Sequence, residues 1–395
     1  MIVCGIIVEY NPFHNGHLYH IRKAKELTNC DVLIAVMSAT FMQRGEPALI
    51  DKFTRTKYAL EAGIDLIIEL PTIKAVQSAN YFAANALEIL NEFKIDYLVF
   101  GSENNQLEHL QAAAKISNTP AYQALVKQYV KNGQRYASAC NLAFKDYELP
   151  YIEQANDILA LAYLQEIDKH DYKITPLAIK RTNDYLSNEL NNEIVSATAI
   201  RNALIMNKDI SLTTPMANYL MNNQDKLVYL ADFFNLLKYQ LNILTIEEIQ
   251  EIAGFEEGLE YLFKNTINKV SNMSDFINQV SSKRYPQTRI QRLIVYLVCN
   301  IKKTNLNLKL DYLRVLGMSI QGQKYLKRIK ESTSYKIITS FSQHNSLLLD
   351  YEHKITSVYA LAKESNYYLY DLEYQQAVLI KESNNNEKEN KKSTI

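Results

Sequence analysis

Two histidines three residues apart, His14 and His17, flank Gly16 in the run Gly5-Ile-Ile-Val-Glu-Tyr-Asn-Pro-Phe-His-Asn-Gly-His17. A hydrophobic run ends here and a helical pattern begins, which suits the recognition of a phosphate-bearing anion. Free N–H groups and a positive dipole end mark a helix start, and two imidazoles add side-chain donors beside them. The competing readings are a metal pair, which lacks further ligands at suitable spacing, and two surface histidines. Before the pair, Pro12 stiffens the turn and Asn11 can bond either backbone or ligand, although turn chemistry alone would explain both.

Other candidates follow along the chain. Arg44 stands beside Gly45 in Phe41-Met-Gln-Arg-Gly-Glu-Pro47, a pairing that could clamp a phosphate or a carboxylate. Lys52 and Arg55 open the next helix, where simple solvation is the plain alternative to a role at the site. Gly101-Ser102-Glu103 ends an apolar run, where glycine permits close backbone approach or simply a turn. Ser196-x-Thr198-x-x-Arg201 offers hydroxyls and N–H groups at a helix start, with an arginine one turn on. The densest basic run holds Lys283, Arg284, Arg289 and Arg292; it is either a phosphate-binding face or a solvated one. His109, His170, His344 and His353 show no partner pattern.

The elements that must position these residues alternate. Ile2–Val8, Asp31–Met37, Asp65–Leu70 and Asp96–Phe100 read as strands buried on both faces, with helices predicted over 18–27, 52–62 and 79–93. The expected fold is an α/β, Rossmann-like doubly wound parallel sheet. In such a sheet the His14, Ser38–Pro47 and Gly101 loops all lie beyond the carboxyl ends of the strands. A fifth strand is expected near Lys173–Ile179. Beyond Ile205 the strands are expected to stop, giving an organisation of 1–205 as the sheet domain, 206–380 as a helical domain and 381–395 as a disordered polar tail.

The chain has 395 residues, 43 basic and 43 acidic, so a nucleic-acid role would rest on a local patch and not on global charge. Four scattered cysteines, Cys4, Cys30, Cys140 and Cys299, suggest free thiols and neither a disulfide framework nor a zinc site. No apolar run approaches membrane-spanning length and the N-terminus lacks signal-peptide features. The expectation is a cytoplasmic protein with no membrane partner.

The His-Asn-Gly-His string resembles the HxGH signature of the nucleotidyltransferase superfamily and the class I aminoacyl-tRNA synthetases. Ser196-Ala-Thr-Ala-Ile-Arg201 resembles the second signature, ISSTxIR. In that superfamily ATP is attacked at its α-phosphate. His14 and His17 would then donate where charge builds as pyrophosphate leaves, and Gly16 would let adenine approach the backbone. A closer likeness runs in order through Gly5–His20, Val36–Pro47, Ile68-Glu-Leu-Pro71, Phe100–Glu103, Ala155–Leu159, Ile179–Arg181, Ser196–Arg201, Lys283–Arg292 and Arg314–Gly317. Over roughly residues 1–330 the chain resembles the bacterial tRNA(Met) cytidine acetate ligase family.

That resemblance implies activation of acetate by ATP to acetyl-AMP, then acetylation of N4 of the wobble cytidine (C34) of elongator tRNA(Met). It implies ATP contacts from Ile7, Val8, Glu9, Tyr10, Asn11, Pro12, Phe13, His14, Asn15, Gly16, His17, Leu18, Tyr19 and His20. Gly101, Asn156 and Arg181 would join them, the second signature adds Ser196 and Thr198, and ATP chemistry implies Mg2+ on the phosphates. Arg44, Arg201, Lys283, Arg284, Arg289 and Arg292 are the candidates for the substrate and tRNA. Ala39 and Ala160 depart from the family's glycines and would tighten the pocket. No base for the second step is evident. The rival readings are a nucleotidyltransferase for a small phosphorylated metabolite and a non-catalytic RNA-binding or assembly factor.

Overall fold

A computed structural model describes residues 1–181 and 194–381, so all of the predicted tail except Lys381 lies outside the described residues. The predicted strands form as β1 (Val3–Val8), β2 (Val32–Ser38), β3 (Leu66–Leu70), β4 (Tyr97–Ser102) and β5 (Thr175–Lys180). They pair in parallel in the order β5-β4-β1-β2-β3. Alternate side chains supply two cores. Ile34, Val36, Ile68 and Leu98 face one way, and Leu33, Ala35, Ile67 and Val99 the other. That two-sided burial is why these runs read as nearly continuous Val, Ile and Leu.

The predicted helices are present as Asn15–Thr28, Lys52–Glu61 and Ala79–Glu92. Past Ile205, however, strands do not stop. β6 (Tyr312–Ser319), β7 (Lys336–Ile338) and β8 (Leu379–Lys381) follow a run of helices, and β6 joins the sheet antiparallel to β3. Lys381 thus belongs to a strand. The sheet domain and the later segment share one sheet, and the run Ile68–Pro71 meets Arg314–Gly317 across it.

This junction explains residues that the sequence left without a task. Arg314 interrupts an apolar strand because its charge is met by carboxylates far away in the chain. Its Nη1 lies 3.3 Å from Glu69 Oε2 and also bonds Glu373 Oε1, while Lys52 Nζ is 2.6 Å from Glu69 and 2.7 Å from Glu373. All four side chains are almost completely buried. Burial pushes the Glu373 carboxyl up, yet Lys52 and Arg314 outweigh it and hold it at about 2. Glu352, which accepts from the Thr72 N–H at 2.6 Å, is raised by burial to about 7. Lys52 is therefore a buried partner in an ion network and not a solvated helix start.

Candidate active site

The strand order reverses between β1 and β4, and a cavity of about 250 Å³ opens at their carboxyl ends. Its wall includes His14, His17, Asn156, Arg181, Ser196 and Arg201. Three loops and two helix starts separated by up to about two hundred residues thus meet at one crevice.

The histidines are arranged by a reciprocal cap. His14 precedes the helix Asn15–Thr28, and its Nδ1 accepts the Gly16 N–H at 3.0 Å. His17 Nδ1 accepts the His14 N–H at 3.1 Å. Each Nδ1 is an acceptor, so each neutral ring carries its proton on Nε2 as a donor. The rings stack with centroids 3.8 Å apart. Burial lowers His14 to about 3, helped by Arg181 and Arg201, and drives His17 down for the same leading reason. Both are neutral donors near pH 7.

One expectation changes here. The N–H groups of residues 14–18 are occupied: besides the caps, Asn15 donates to the Thr213 carbonyl at 3.1 Å, and His17 and Leu18 donate to His14's. The backbone donors expected at this helix start are not available to an anion, which leaves the imidazoles. The second helix start is better suited. Ser196 Oγ caps the Ala199 N–H at 3.1 Å, while the N–H groups of Ala197 and Thr198 have no acceptor among the described residues. Gly16 also has a more local cause: a Cβ there would stand 2.7 Å from His14 Cε1, so glycine is required by the ring itself.

On the opposite side, Glu103 accepts the Asn156 and Asp157 N–H groups at 3.1 and 3.0 Å, capping the helix Ala155–Lys169. Asp157, fully engaged with Ser102, Glu103 and Asn104, locks the same loop. Asn156 is left to accept from Arg181 Nη1 at 3.2 Å, and a Cβ on Gly101 would crowd Arg181 Cγ at 3.2 Å. Asp157 has no local signature of its own in the sequence beyond its place in the run Ala155–Leu159.

The loop Phe41–Pro47 forms the remaining wall through Met42, Gln43, Arg44 and Glu46. Arg201 donates to the Asn11 carbonyl at 2.7 Å and pairs with Glu46 at 2.6 Å, tying this loop to the histidine loop. Asn11 does likewise, donating to the Pro47 carbonyl and accepting the Leu49 N–H at 2.6 Å, so both ends of its amide are spent on backbone. Arg55 is completely buried and donates to the carbonyls of Glu9, Ser38, Ala39 and Ile50. The alternative of simple solvation fails because it fastens the carboxyl ends of β1 and β2 beneath the cavity.

Of the expected nucleotide contacts, Ile7, Val8, Glu9, Tyr10, Tyr19, His20 and Gly101 line the cavity with those already named. Pro12, Phe13, Asn15, Leu18 and Thr198 do not. Phe13 is buried against the Tyr10 ring, centroids 4.7 Å apart, and the Asn15 amide donates to the Leu212 carbonyl. Ala39 and Ala160 are buried off the cavity wall, so neither tightens it. Phe82, Phe100 and Tyr163, which sequence reading did not single out, give it an apolar side.

Lys283, Arg284, Arg289 and Arg292 lie outside the wall, but the helix that carries Arg292 packs on its loop. Gly45, at φ +85°, presses on the helix Gln287–Val298 so closely that a Cβ would meet Arg292 N at 2.4 Å. Arg289 rides over Tyr285, 4.9 Å from the ring centroid, and pairs with Glu256; Arg284 pairs with Glu257. These acidic partners moderate the basic run.

The His14 environment makes a stability prediction. Its folded-state value lies below the ordinary 6.5, so the unfolded chain binds the extra proton and stability is lost as pH falls from about 6.5 toward 3. The slope from this group is about 1.4 kcal/mol per pH unit. His14→Asn keeps an N-cap and should flatten the acid side of a melting-temperature profile by that amount.

The HIGH Nucleotidyl Transferase family model matches residues 1–373. A tRNA(Met) cytidine acetate ligase of Oceanobacillus iheyensis is 37% identical over 374 residues, covering 90% of this chain and 94% of the relative. That of Bacillus subtilis is 36% identical over 392 residues, covering 92% and 93%. The crystal structure of apo Thermotoga maritima TmcAL superposes with a TM-score of 0.88 at 29% identity, covering 96% of this chain and 99% of that one. The same protein bound with alpha-thio ATP gives 0.86 at 30% identity and the same coverage. No described helix is long and apolar enough to cross a membrane. The chain belongs to the HIGH nucleotidyl transferase family and, within it, to the tRNA(Met) cytidine acetate ligases.

Proposed function

We propose that this chain is an ATP-dependent ligase that activates acetate as acetyl-AMP and acetylates N4 of the wobble cytidine of elongator tRNA(Met). The observation that carries this reading is that the neutral His14 and His17 rings, each with Nε2 as its donor, line one crevice together with the Ser196 helix start. A triphosphate laid between them meets donors from both sides. An acetate oxygen attacks the α-phosphorus, pyrophosphate leaves, and the imidazoles stabilise the departing charge. Asn156 and Arg181 are placed to hold the remaining part of the nucleotide. Among the described residues no group of three His, Cys, Asp or Glu stands ready for a metal. Mg2+ would therefore be held mainly by the phosphates.

For the RNA, we assign the face around Tyr285, Arg289 and Arg292 in the 206–380 segment, since Gly45 joins it to the cavity wall. An aromatic ring beside guanidinium groups suits an RNA backbone with splayed bases. The test is incubation with ATP and labelled acetate, with and without tRNA(Met). Acetyl-AMP without tRNA and labelled tRNA with it are expected. AMP transfer to a small metabolite independent of acetate, or tRNA retention with no turnover, would overturn the reading. Arg289→Glu should weaken tRNA binding roughly tenfold or more, about 1.4 kcal/mol, as read by filter retention, with adenylate formation preserved.

A further inference from the structure

We propose, resting on the ligase reading, that Glu9 is the general base of the acyl-transfer step: its Oε2 takes a proton from the acceptor amine as nitrogen attacks the acetyl carbon. A cytidine amine is a poor nucleophile because its lone pair is delocalised into the ring. Removing a proton as the C–N bond forms is where a positioned base helps. In that step the new C–N bond forms and the C–O bond to the adenylate phosphate breaks. AMP leaves with that electron pair, and one N–H proton ends on Glu9.

The geometry singles out this side chain. Glu9 follows β1 directly and lines the cavity. Its Oε1 accepts the Gln43 N–H at 2.6 Å and the Ser38 hydroxyl at 3.5 Å, and its backbone carbonyl is held by Arg55 at 2.7 Å. Among the described residues no donor reaches Oε2. The carboxylate is therefore fixed by one oxygen and open at the other. The other carboxylate of the lining and the two signature histidines are engaged. Glu46 is paired with Arg201, and both active-site histidines spend Nδ1, their proton-accepting nitrogen, on caps. Through Gln43, Glu9 is tied to the same loop whose Gly45 packs against the basic helix assigned to the RNA.

The surroundings suit a base. Burial raises the Glu9 carboxyl above the ordinary range and Glu46 adds to this; the Gln43 N–H, Arg44 and Arg55 oppose it. Tyr163 faces it from the helix Ala155–Lys169, itself pushed up by burial.

The experiment supplies synthetic acetyl-AMP and tRNA(Met) to the full chain and measures single-turnover transfer across pH. Glu9→Gln should slow transfer by ~10²–10³-fold, in the range for a lost general base, while acetate-dependent ATP–pyrophosphate exchange falls by less than about tenfold. Wild-type transfer should rise with pH through one ionisation that the Gln variant lacks. Glu9→Asp, which keeps the carboxylate, should retain that ionisation at a reduced rate. Transfer by Glu9→Gln within tenfold of wild type, equal loss of both half-reactions, or an unchanged pH profile would overturn the proposal. Because acetyl-AMP is supplied, a wild-type chain lacking acetate-dependent exchange would sink the ligase reading separately and leave the transfer comparison readable.

Discussion

His17→Ala should reduce acetate-dependent ATP–pyrophosphate exchange by roughly 10³-fold, or ~4 kcal/mol of transition-state stabilisation, as when an oxyanion donor is removed. The structure adds that His17 has two tasks. Its ring lines the cavity with Nε2 as the donor, while its Nδ1 accepts the His14 N–H. Alanine removes both, so the variant should also lose about 1 kcal/mol of stability, typical of a missing helix cap. His17→Gln separates the two, since glutamine at this position of a capping box can reach back to the same N–H. Its melting temperature should recover and its exchange activity should not. Recovery of activity with glutamine would mean that His17 serves the helix and not the phosphates.

Arg55→Met should destabilise the fold by about 3–5 kcal/mol, read as a lowered denaturant midpoint. The guanidinium is completely buried and serves four carbonyls, those of Glu9, Ser38, Ala39 and Ile50. Each carbonyl left stranded costs about 1–3 kcal/mol. Relief from burying a charge offsets part of that sum; burial already depresses Arg55 to about 10. Arg55→Lys keeps the charge but cannot span four acceptors, so it should recover only part of the loss. Because two of these carbonyls belong to Glu9 and Ser38, both variants should weaken nucleotide binding as well. A midpoint within 1 kcal/mol of wild type, an ordinary surface value, would show that water replaces the side chain.

The parts of the fold legible in sequence are those with strong local physics. Runs such as Val32–Met37, buried on both faces, are apolar throughout, and they announce parallel strands directly. The His14–His17 spacing was equally plain, because three residues span one helical turn. β6 was not legible. Arg314 and Gly317 break its apolar run, and each is justified only by distant partners: Glu373 for the charge, and Thr56, 2.5 Å from where a Cβ would stand, for the glycine.

The same division runs through the site. The sequence by itself determined that two imidazoles stand at a strand-to-helix turn and that Ser196 opens a second helix, since both follow from local spacing and capping preference. Only the tertiary structure decided which donors remain for a ligand. It consumed the N–H groups of the first helix and, among the described residues, left those of Ala197 and Thr198 without an acceptor. It buried Arg55 and opened one oxygen of Glu9. Hydrogen-bond capacity is shared among residues that meet only after folding, so which groups are satisfied and which are left to act is a property of the packed chain.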